Sequence, residues 1–152
     1  MSKHVLVGRF GASDQDPVPT TSQETATTLP LLTSDGRLDH RLDHAVSDLT
    51  RLGIHPTEIG IDLLLLAAHV HAADTRISRA MESQDSWTRE IRLVVPVSNP
   101  VVWSGTTPLL KRMLEFLTGD RWVVTFRGRP RGFDRLIPQD RNRQVAHPFN
   151  AL

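Results

Sequence analysis

The sequence predicts a small α+β domain, and three stretches carry that prediction: a leucine-lined helix running straight into an alternating strand over residues 106–127, a nearly all-apolar helix over 57–74, and an alternating strand over 87–97. In the first stretch Thr106 or Thr107 is placed to cap the helix, and Pro108 falls near the first helical position, where its missing N–H costs nothing. Leu109, Leu110, Met113, Leu114 and Leu117 then recur every three or four residues as an apolar stripe. Gly119 stands where a helix often ends in a left-handed residue, after which Trp122, Val124 and Phe126 alternate with Val123, Thr125 and Arg127. A helix that turns directly into a strand is expected to lie on its sheet. The resulting picture is a sheet of about three strands (near 4–10, 87–97 and 121–127) packed with about three helices (near 37–52, 57–74 and 107–118).

Taken in order, His4–Phe10 (HVLVGRF) reads as a first strand, with Val5 and Val7 facing opposite to Leu6. From Gly11 to Gly36 the chain is Thr, Ser, Asp, Gln and Pro without an aromatic, so a flexible linker is expected, and residues 1–36 form a strand-plus-linker segment. Leu38, Leu42, Ala45, Leu49 and Leu52 mark one face of a helix that Gly53 is placed to end. The next helix, over 57–74, is apolar nearly all round and is expected at the centre of the packing. In WTREIRLVVPV, Trp87, Arg89, Ile91, Leu93 and Val95 share one face. Arg89 is the exception on it, either at the rim or paired with an acid such as Asp74 or Asp120. Pro96 should end central pairing because it has no ladder donor. Residues 98–105 read as a loop whose Val101, Val102 and Trp103 fold onto the neighbouring layer. The core is thus expected at 37–127, followed by a basic, Pro- and Arg-containing tail at 128–152.

A chain of 152 residues with 39% hydrophobic side chains and a net charge of +1 carries no global field that would mark a nucleic-acid or membrane binder. The tail is locally basic, with Arg129, Arg131, Arg135, Arg141 and Arg143 against Asp134 and Asp140. Nucleic-acid contact through these arginines is one expectation; a solvated extension is the simpler one, since no compact RNA-binding signature accompanies them. The absence of cysteine rules out a disulfide framework and thiolate-bound zinc, and is compatible with a reducing cytoplasm. No apolar run reaches membrane-spanning length, and no export signal is expected at the N-terminus.

Candidate chemistry is sparse. The tandem RLDH at 37–44 sets His40 and His44 at i, i+4, the spacing of metal-binding helices, though a third ligand is not evident and a solvated helix face is the plainer reading. His69 and His71 are two residues apart and point away from each other on a helix. Asp74 and Arg76 can pair near a helix end. Trp103–Thr107 (WSGTT) could cradle an anion at a helix N-terminus, but it lacks a P-loop lysine, and a plain N-cap is favoured. No GxSxG motif, paired carboxylates or nucleophile–base pair stands out, so no catalytic, cofactor or metal residue is assigned.

The succession LGIHPTEIGIDLLLLAAHVHAADTRISR, WTREIRLVVPV and LLKRMLEFLTGDRWVVTFR resembles the N-terminal region of the QatC family, the QueC-like (7-cyano-7-deazaguanine synthase-related) proteins of bacterial Qat antiphage defence systems. The resemblance covers about Leu52–Arg127, half of the chain, and its most specific pieces are Trp87-Thr88-Arg89 and Leu117–Trp122. Asp74-Thr75-Arg76 departs slightly, standing where an acid followed directly by Arg is expected. Family members are two-part, with an ATP-using domain that opens on an SGGxDS loop; that loop is absent from this sequence, so none of the family's catalytic residues can be carried over. What the resemblance implies is a non-catalytic, cytoplasmic accessory module, encoded apart from its catalytic partner or truncated, that docks onto a QueC-like domain or another component of the defence operon. Asp74, Arg76, Trp87, Arg89, Asp120, Arg121 and Trp122 are then the candidate interaction or structural residues.

Overall fold

The computed structural model describes residues 3–79 and 87–137. Four strands, β1 (Lys3–Arg9), β2 (Glu24–Pro30), β3 (Glu90–Val97) and β4 (Arg121–Gly128), form one sheet in the order β2-β1-β3-β4. Every pairing is parallel. Among the described residues four helices accompany them: α1 (Leu42–Arg51), α2 (Glu58–Arg76), α3 (Pro100–Ser104) and α4 (Thr107–Thr118). The α+β class therefore holds, with one strand and one helix more than the periodicity predicted.

The extra strand, β2, lies in the stretch expected to be a flexible linker. Only Leu29 of its seven residues is buried, so this edge strand is held by the ladder to β1 rather than by side-chain burial. Helix α1 starts at Leu42 rather than near 37, because His40 and Arg41 adopt left-handed backbone angles just before it. Gly53 does end it: with φ 75°, it lets the Ile54 N–H reach the Leu49 carbonyl. Strand β3 begins at Glu90 rather than Trp87, whose side chain is left 75% exposed. Pro96 does not end β3 but ends its pairing on one side: the β1 ladder stops at Val94, while the β4 ladder runs on to Val97.

Helices α2 and α4 lie on the same face of the sheet, over Leu6, Ile91, Leu93, Val95, Trp122 and Val124. The opposite face carries Val5, Val7 and Val94 and is covered not by a helix but by the 10–23 crossover, through Val18 and a hydrogen bond from Arg92 to the Pro19 carbonyl. Parallel sheets are normally buried on both sides. Here Ala26, Thr28, Val123 and Thr125 remain exposed at the margins of the second face.

One close approach fixes how α2 sits. A Cβ added at Gly8 of β1 would stand 2.2 Å from His69 Nε2, so only glycine allows the buried ring to lie against the strand. The His69 Nδ1–H donates to the Leu65 carbonyl at 2.6 Å, and burial, helped slightly by His40 and Arg127, lowers its pKa from 6.5 to about 4. The unfolded chain takes up this proton near pH 6.5 and the folded one only near 4. Stability present above pH 6.5 is therefore expected to drain away between 6.5 and 4, by on the order of 3 kcal/mol. Urea unfolding at a series of pH values checks this, and His69→Gln should flatten the slope in that window; an unchanged slope would assign the loss to other groups.

Candidate functional site

Ligands of doubly wound parallel sheets enter at the carboxyl ends of the strands, where the strand order reverses. In this chain the reversal lies between β1 and β3, and the protein's own side chains fill the place. Arg127 reaches across from β4 to donate to the Gly8 carbonyl at 2.8 Å and to Asp14 at 2.5 Å. The Asp14 side chain is wholly buried and also accepts from the Phe10 N–H and from Arg9. Burial pushes its carboxyl up, but Arg127, Phe10 and Arg9 outweigh that and hold it below the usual carboxylate value.

Beside it, Asp62 of α2 is the second hub. Its buried carboxylate accepts from the Ser98 N–H and hydroxyl, from Trp103 Nε1 at 2.9 Å and from Arg129 at 2.6 Å. Arg129 also pairs with Glu58, whose oxygens receive the Leu136 and Ile137 N–H groups. The segment after β4 is thereby clamped onto the start of α2, and Phe133 stacks on Phe10 at 5.0 Å. Arg129, one of the tail arginines considered for nucleic-acid contact, is 8% exposed and committed to two carboxylates within the fold. Arg131 and Arg135 are exposed, whereas Arg141 and Arg143 lie outside the described residues.

The third hub lies at the opposite end of the sheet and gathers most of the motif residues. Arg89 is not at the rim; it pairs with both acids that were alternatives, Asp120 at 2.5 Å and Asp74 at 2.7 Å, and donates to the Ile77 carbonyl. Asp120 accepts further from the Arg89 N–H and from Arg79. Burial raises the Asp120 carboxyl, but Arg89 and Arg79 overcome it and keep it ionised; burial opposes the Arg89 charge, and Asp120 and Asp74 overcome that in turn. Trp122 is fully buried with its Nε1 donating to Thr118, while Arg121 is exposed and pairs with Glu90. Arg76 is separate from this cluster and lines a depression of about 230 Å³ with His4, Thr27 and Ser78.

Two other candidates dissolve in the geometry. His40 lies outside α1 with its Nε2 on the Pro30 carbonyl, so it shares no helical face with His44. Among the described residues no three His, Asp or Glu side chains are grouped to hold a metal ion. In the WSGTT turn Thr106 does stand at the N-cap position of α4, but its side chain does not cap that helix: the hydroxyl donates back to the Trp103 carbonyl at the end of α3.

What stands open is α4. Of the expected apolar stripe only Leu110 and Leu114 are buried, while Leu109 is 60%, Met113 46% and Leu117 68% exposed; Phe116, outside that stripe, is 88% exposed. Val101 and Val102 of α3, expected to fold down, point outward too, and only Trp103 does fold in, onto Phe126. Among the described residues no helix is long and apolar enough to cross a membrane. No family model matches the chain, and no curated protein or solved structure does either.

Proposed function

We propose that this chain is a non-catalytic interaction module that works in the cytoplasm with a QueC-like, ATP-using partner of a bacterial antiphage defence system. The observation that carries the reading is the uncovered apolar side of α4, a feature that marks a protein contact rather than a reaction centre. Two further points support it. The carboxylates and guanidinium groups at both ends of the sheet are spent on one another, with Asp14, Glu58 and Asp120 held ionised and His69 held neutral, a poor set for acid–base work near neutrality. The segments that resemble the QatC N-terminal region fall on α2, β3, α4 and β4, the contiguous half of the fold that holds this face.

The test is co-expression with a QueC-like protein and size-exclusion chromatography at micromolar concentration. A single co-eluting complex is expected. Two independent peaks would sink the proposal.

A further inference from the structure

We propose that the open side of α4 receives an amphipathic helix of a partner protein, whose apolar stripe is flanked by carboxylates. The inference rests on the interaction-module reading and adds to it the surface and the chemistry of what it binds. Successive residues of an α-helix are about 100° apart. On that wheel Phe116, Leu109, Met113 and Leu117 form one continuous arc, adjoining the Leu110 and Leu114 that face the sheet. Two residues of a single broad apolar stripe are thus buried at home and four are not. From their fractional exposures the four open residues present on the order of 500 Å² of mainly apolar surface, near the upper end of what a monomer shows without a partner. Leucine, methionine and phenylalanine spaced i, i+4, i+7 and i+8 match the ridges of a helix laid along them.

Charge selects the kind of helix. On α4 Lys111 is paired with Glu115, and Arg121 just beyond it with Glu90. Arg112, exposed, one turn from Phe116 and next to Leu109 on the rim of the arc, has no ion pair among the described residues. A carboxylate on the incoming helix would meet it. A second copy of this chain fits worse, because two α4 helices crossing antiparallel about Met113 would set Arg112 beside its own symmetry mate.

The test uses two synthetic amphipathic helices with leucines at i, i+3, i+4 and i+7, one flanked by glutamates and its twin by lysines, titrated against the full chain by fluorescence anisotropy. The glutamate peptide is expected to bind at least about tenfold more tightly than its twin, a preference of about 1.4 kcal/mol. Phe116→Glu should abolish that binding with an unchanged circular dichroism spectrum, since the residue is 88% exposed, and Arg112→Glu should reverse the preference. Equal affinity for both peptides, no binding of either, or binding that survives Phe116→Glu would overturn the proposal. So would concentration-dependent dimerisation lost in Phe116→Glu, which would give the face to a second copy. A QueC-like protein that still co-elutes with Phe116→Glu would sink this inference alone, whereas peptide binding without co-elution would sink only the functional reading.

Discussion

Replacing Arg89 with methionine is expected to lower the free energy of unfolding by about 3–5 kcal/mol, the range for removing one partner of a buried ion pair. The side chain of Arg89 is 2% exposed and that of Asp120 is wholly buried, so the carboxylate cannot turn to water when the guanidinium goes. Arg79 would remain on Asp120, but it is one-third exposed and cannot also supply the Asp74 and Ile77 carbonyls that Arg89 bonds. Urea unfolding followed by the fluorescence of the buried Trp103 and Trp122 measures the loss. Arg89→Lys should recover little, because one ammonium cannot span both acids in the way a fork does. Adding Asp120→Asn to Arg89→Met should recover part of the loss by removing the stranded charge. A loss below about 1 kcal/mol would mean that the cluster is solvated in the folded protein and that its geometry contributes little.

Asp62→Ala is expected to cost a similar amount, about 3–5 kcal/mol, and to do something Arg89→Met does not. It strands the Ser98 N–H, the Trp103 indole N–H and the Arg129 guanidinium at once, around a side chain that is wholly buried. Arg129 would keep Glu58 at 2.6 Å, so the attachment of the segment after β4 should loosen rather than vanish. Limited trypsinolysis reads that directly: cleavage after Arg131 and Arg135 should accelerate several-fold in Asp62→Ala under conditions where α2 and the sheet stay intact. Cleavage at the wild-type rate would show that the 129–137 segment is held by the Phe10–Phe133 stack and not by the carboxylate.

The contrast between the two hubs shows what a sequence can disclose. Arg89 was visible because it breaks an apolar alternation, and a charge in such a place has to find a counter-charge; which acid it would find was open, and the fold supplies both. Asp62 gave a similar signal, a lone carboxylate inside the run Ile61–Ala68, but its partners come from a loop and from the region after β4 that has no periodicity to place it. Asp14 sits in a polar stretch among several like it, so nothing local distinguishes the buried one. Among the elements, β1, α2, β3 and β4 were legible because each buries enough side chains to imprint a period, and α4 because its stripe is apolar whether buried or not. The edge strand β2 buries one of seven, and α3 is a little over one turn long, too short for any period to register. The most consequential misreading concerned α4. A wide apolar stripe does not say how much of itself the fold covers: Leu110 and Leu114 are buried against the sheet, while Leu109, Met113 and Leu117 are not.

The order of the strands has a consequence for how the chain is made. Strand β1 is synthesised first, yet its inner neighbour β3 is about eighty residues downstream and ends only at Val97, with β4 later still. Until those residues clear the ribosome, the nascent β1–β2 pair has an unsatisfied ladder edge, and His69 and the apolar α2 have only part of the platform they pack on. Such distant pairings close slowly and late. Refolding of the complete chain should accordingly be slower than its helix content suggests, and nascent fragments ending before residue 97 should need shielding from one another.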